Sequence, residues 1–107
     1  MIALALLAAL TQTAPAPQAE PPLSRAEICQ AHMTVMIEDE MTQTGRVAGP
    51  SWFIQNWWEA KLTEAEQDEA RRKQVVERLR SRDANAPDFR AERLGCVTEA
   101  FEAGAVP

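Results

Sequence analysis

Residues 24–45, SRAEICQAHMTVMIEDEMTQTG, read as a single helix with both ends specified. Ser24 and Glu27 make a capping box: the Ser24 hydroxyl accepts from a first-turn amide, and the Glu27 carboxylate reaches back to the Ser24 N–H. Leu23, just before the cap, is placed as a hydrophobic staple. Ile28, Cys29, His32, Met33, Val35 and Met36 recur at helical spacing and form an apolar arc. Gly45 supplies the left-handed residue that ends such a helix near Thr44. A helix of this kind needs partner surfaces for its arc, and the chain beyond it must supply them.

That chain is helical in composition. Gly and Pro are absent from Ser51 through Ala86, and β-branched residues are few. The segment GRVAGP, residues 45–50, is a loop. Ser51 is expected to cap a second helix whose arc holds Phe53, Ile54, Trp57, Trp58 and Leu62, with Trp52 off the arc. Thr63-Glu64-Ala65-Glu66 is a second capping box and favours a break at Thr63. The alternative, one helix of about 30 residues, would be ~45 Å long. The polar stretch Glu64–Gln74 offers Asp68–Arg72 and Glu69–Lys73 as i,i+4 pairs. Asn85 or Ala86 caps the last helix, with Pro87 and Asp88 in its first turn. Its arc is Phe89, Leu94, Cys96, Val97, Ala100 and Phe101. Gly95, inside that helix, reads as a point of close backbone approach, and Gly104 ends the helix. The expectation is an all-α bundle of three or four helices in one domain, residues 23–104, with 105–107 as a tail.

Two cysteines complete the argument. In an up-down-up-down bundle the first and last helices are antiparallel, which brings Cys29 and Cys96 to similar heights. A bridge needs Cα atoms within about 7 Å. Closing a loop this long stabilises by roughly 4 kcal/mol in the chain-entropy model, and a domain this small gains much from one staple. No C-x-x-C is present, which argues against thiol redox chemistry, and no C-x-x-C-H, which argues against c-type haem.

The N-terminus says where such a bridge would form. Residues 1–10, MIALALLAAL, carry no charge, and TQTAPAPQAEPP follows. The apolar run is short of the ~20 residues that span a bilayer, and fits the h-region of a secretory leader with an exit at Ala14-Pro15-Ala16. Residues 1–16 are expected to be a signal peptide and 17–22 a disordered Pro-rich linker. The mature chain is then periplasmic or secreted, without a transmembrane span. Its net charge of −5 disfavours nucleic acid and anionic membranes, both of which attract positive patches.

No catalytic pattern stands out. There is one histidine, no G-x-S-x-G and no Gly-rich phosphate loop, so the chain is expected to be neither an enzyme nor a cofactor carrier. Contact residues are sought instead at Trp52, at Arg46 in the loop before it, and along the acidic strip Glu38, Asp39 and Glu40. The leading expectation is a non-enzymatic protein-interaction module of the cell envelope, chaperone- or inhibitor-like, with an unidentified protein partner. It would be a monomer or weak homo-oligomer. In size and class the chain is similar to small periplasmic helical proteins such as acid-stress chaperones and toxin-immunity proteins. Two alternatives come from other chemistry. His32, Met33 and Met36 lie within about one turn and are soft ligands for Cu(I), against the reading that they are core packing. Clustered Trp side chains also suit a glycan or lipid surface.

Overall fold

The computed structural model describes residues 22–107. The expected leader, residues 1–16, and all but the last residue of the 17–22 linker lie outside them. Four α-helices follow one another: α1, Arg25–Thr44; α2, Gly49–Glu59; α3, Glu69–Arg80; and α4, Pro87–Glu102. A 3-10 turn, Ala65–Gln67, precedes α3. The described residues contain no strand, and none of their helices is long and apolar enough to cross a membrane.

The helix ends follow local chemistry. The Ser24–Glu27 capping box forms in both directions. Gly45 takes φ of 71° and donates its N–H to the Met41 carbonyl, ending α1 where expected. The chain also breaks near Thr63, where Thr63 N–H donates to Glu66 Oε1 at 2.9 Å and Glu66 N–H to Thr63 Oγ1 at 3.3 Å. That box caps only the 3-10 turn. Asp68 caps α3, accepting from the Arg71 N–H at 3.0 Å. Ser51 is not the cap of α2, which begins two residues earlier with Ala48 at the cap position. Glu40 of α1 explains the difference: its Oε2 accepts the Ala48 N–H at 3.1 Å and its Oε1 accepts the Ser51 hydroxyl at 3.2 Å. Ser51 is thereby turned inward, and it is buried.

α1 is the central element. It packs against α2, α3 and α4, and α2 also packs against α4. The chain runs up-down-up-down. α4 is antiparallel to α1, as Arg25–Glu99, Cys29–Cys96 and His32–Glu92 show. α3 is parallel to α1, as Glu27–Arg71 and Glu38–Arg80 show. The single apolar arc expected for α1 is two stripes. Cys29 and Met33, flanked by Ala26 and Met36, meet Ile54 and Trp58 of α2 and Cys96 and Ala100 of α4. Ala31 and Val35 meet Val75 and Leu79 of α3 and Phe89 of α4. Residues 29–33 are therefore buried in an unbroken run. The Cys29–Cys96 disulfide forms, with Cα atoms 5.3 Å apart, inside the first cluster. Ala105 and Val106, expected to trail as a tail, pack against that cluster too.

The second cluster is thinner. α3 contributes two buried side chains, Val75 and Leu79, worth about 1.5–3 kcal/mol each. Ordering its backbone costs about 1–2 kcal/mol per residue. The helix therefore leans on its polar contacts with α1.

Candidate interaction face

The inner side of α2 is set by Ser51, Ile54 and Trp58, all buried. On one flank Gln55 Nε2 reaches Thr34 Oγ1 of α1 at 3.3 Å. On the other flank Trp58 Nε1 donates to the Cys96 carbonyl of α4 at 3.0 Å. Helical geometry then places Trp57 at the α4 edge and Phe53, one turn earlier, beside it on the outer surface. Trp57 is fixed from two sides: its ring meets Trp58 edge-on at 4.8 Å, and the Lys61 ammonium lies 4.5 Å from its centroid.

On α4 the side towards α1 is marked by Glu92, Cys96 and Glu99. Val97 packs on the same cluster as Trp57. Leu94 and Phe101 lie three residues before and four residues after Val97, on its outward side. Trp57 and Val97 thus border the first cluster from α2 and α4, and helical spacing sets Phe53 beside Trp57 and Leu94 and Phe101 beside Val97. Phe53 is 46% exposed, Leu94 65% and Phe101 62%, while Trp52, 45% exposed, is turned about 100° round α2 from Phe53.

Several placements differ from the sequence reading. Phe53, Leu94 and Phe101 were expected in the core but are exposed, because Ile54 and Trp58 of α2 and Cys96 and Ala100 of α4 take the inward positions. Trp52 was expected off the arc, and it is exposed. Gly95 is not a point of close backbone approach: a Cβ there would meet only Arg25 Nη2, at 3.4 Å. Arg46 is exposed, and its N–H donates to Thr44 Oγ1. Glu38 and Asp39 are joined to Arg80 at 2.6 and 3.2 Å, and Glu40 anchors the start of α2. The acidic strip thus makes intramolecular contacts along its whole length. Arg72 pairs with Glu59 at 3.1 Å, and Asp68 serves as a cap.

His32 is fully buried. Arg93 Nε donates to its Nδ1 at 3.2 Å, and Glu92 Oε1 lies 2.6 Å from its Nε2. A guanidinium can only donate, so Nδ1 carries the bare lone pair and Nε2–H donates to Glu92. Phe89 meets the ring edge-on at 4.9 Å. Burial pushes the imidazole below its ordinary pKa of 6.5, against the raising effect of Glu92, and Arg93 adds to the depression. A copper ion at Nδ1 would have to displace Arg93. Met33 beside it is fully buried and Met36 is half-buried on the first cluster. Among the described residues, no group of three or more His, Cys, Asp or Glu side chains is arranged to hold a metal.

Comparison with known protein families, with characterised proteins and with solved structures returns no match.

Proposed function

We propose that the protein is an exported, non-enzymatic interaction module that engages a protein partner through the outer α2–α4 face. One observation carries the reading. Phe53, Leu94 and Phe101, three large apolar side chains about half or more exposed, lie beside Trp57 and Val97 on the two helices that border the first cluster. A monomeric protein rarely leaves such a patch open without a use. Aromatic side chains held on helices make good anchors, because little side-chain freedom remains to be lost on binding. The disulfide supports the exported setting, since such bridges persist in oxidising compartments.

The test is site-specific photocrosslinking in the source cell, with a benzophenone residue at Phe53, at Leu94, and at Glu77 on the exposed side of α3. The expected result is a discrete protein adduct from positions 53 and 94 and none from 77. No adduct at 53 and 94, or the same pattern at 77, would reject the reading.

A further inference from the structure

The other side of the molecule carries a second, independent feature. α1, α2 and α4 share the cluster that contains the Cys29–Cys96 bridge. α3 carries no cysteine, contributes Val75 and Leu79 to the second cluster, and is held down by ion pairs. Arg71 grips Glu27 of α1 with two hydrogen bonds, at 2.5 and 2.9 Å. Arg72 reaches Glu59 of α2, and Arg80 reaches Glu38 and Asp39 of α1. Just past the helix, Arg82 reaches Asp88 and Glu92 of α4. In each pair the cation belongs to α3 or its exit, and the carboxylate belongs to the stapled part.

Two open surface grooves of about 430 and 310 Å³ lie where Leu23 meets α3, both lined by Leu23, Val75, Arg78 and Ser81. A cavity of about 10 Å³ lies between Glu27, Gln30, Leu62, Glu66 and Arg72. Gln30 Nε2 is buried there without a protein hydrogen-bond partner. A buried amide left without a partner is rare beneath a tightly packed helix.

We infer that α3 is an acid-released strap: protonation of the carboxylates beneath it frees α3 as a unit and uncovers an apolar strip on α1, while α1, α2 and α4 stay packed on the cluster that holds the disulfide. The uncovered strip is Ala31 and Val35, with Leu23 and Ile28 at its edge. The charged groups act in one direction. Glu27 faces Arg71, with Glu66 of the 3-10 turn also in reach, and the Arg71 hydrogen bonds hold its carboxyl down at about 2 against 4.5. Asp39 pairs with Arg80 at 3.2 Å. Burial works to raise the Glu92 carboxyl, but hydrogen bonds from His32 and Arg82 outweigh it and leave the group below its ordinary range. Each depressed carboxylate favours the closed strap above the ordinary carboxylate pKa, and that support drains away as the pH falls towards the depressed value. The exposed pairs of Arg80 are weak and easily screened, so Glu27–Arg71 is the main clasp.

Hydrogen exchange read by mass spectrometry at about pH 7 and about pH 3, corrected for intrinsic rates, tests the proposal. The expected result is that amides 69–80 lose about ten-fold or more of their protection on acidification, while 29–37 and 92–101 keep theirs. Loss of protection together in all four helices, or none in 69–80, would overturn it. The variant Glu27→Gln supplies a second test. It should release α3 already near neutral pH, with retained protection in α1 and α4 showing that the rest stays folded. Wild-type protection of α3 in that variant would overturn the strap equally.

Discussion

His32 shows how much one residue decides here. Burial favours its neutral ring, and Arg93, donating to Nδ1, adds to the effect. The unfolded chain gives the same imidazole its ordinary pKa of 6.5, and the fold lowers it. Below that value the unfolded state binds the proton first, so stability falls as the pH drops from about 6.5 towards the folded value. Urea midpoints measured between about pH 7 and pH 5 should fall for the wild type. His32→Gln should be less stable at pH 7 but lose most of that slope, and an unchanged slope would show that other groups carry it. The placement of His32 on a buried arc was legible from spacing alone. Its partners were not, because Glu92 and Arg93 lie 60 and 61 positions away and nothing local announces them. Gly95 is the converse case. Its presence in a helix was legible, but the reason inferred for it fails, because only the mobile end of Arg25 lies near. Gly95→Ala should therefore stabilise by about 0.5–1 kcal/mol, the helical preference for alanine. Thermal unfolding would read this as a raised midpoint, whereas a lowered one would mean that the Arg25–Glu99 pair cannot adjust.

Element by element, the sequence was readable wherever a local interaction fixes an end. The Ser24–Glu27 box, Gly45 and Pro87 each announce a boundary within a few residues, and all three appear as expected. Thr63 announces a break in the same way, but its box closes on a 3-10 turn, and Asp68 starts the longer helix. Asp68→Ala should cost about 1 kcal/mol, the usual value of a side-chain cap, with the loss of exchange protection concentrated in the first turns of α3. A loss spread evenly over α1 and α4 would instead mean that α3 does not open separately. Which face of an element lies inside was harder to read. Periodicity placed Phe53 on the arc of α2 and Leu94 and Phe101 on that of α4, yet all three are exposed. A stripe of apolar residues specifies that a helix is amphipathic, not how wide a neighbour will cover it. The start of α2 was missed for a related reason: Glu40, eight positions upstream, supplies the anchor that Ser51 was expected to provide.

At the scale of the whole molecule, one long helix serves two cores of unequal strength, and the disulfide belongs to the stronger. A central helix buried on two sides, with the unbroken run Cys29–Met33, was not foreseen, because a sequence arc averages two adjacent stripes into one. The bridge itself was foreseeable, since antiparallel first and last helices bring the two cysteines level. It joins positions 67 apart in the chain. In the loop-entropy account such a constraint stabilises by about 4 kcal/mol, a large part of the ~5–15 kcal/mol that a domain usually has. Much of this chain's remaining cohesion is polar: Glu27–Arg71, His32–Glu92 and Arg80 with Glu38 and Asp39. The staple and the carboxylates therefore secure different parts of the fold, the disulfide the α1–α4 cluster and the carboxylates the α3 seam. Cys29→Ser with Cys96→Ser should lower the unfolding free energy at pH 7 by about 4 kcal/mol, measured in urea with unchanged cooperativity. The same variant should unfold at a higher pH than the wild type, because less stability is left for protonation to remove. Equal midpoints for global acid unfolding, read at α1 and α4, in the oxidised protein and the double variant would show that the disulfide adds nothing to the part that remains after α3 is released.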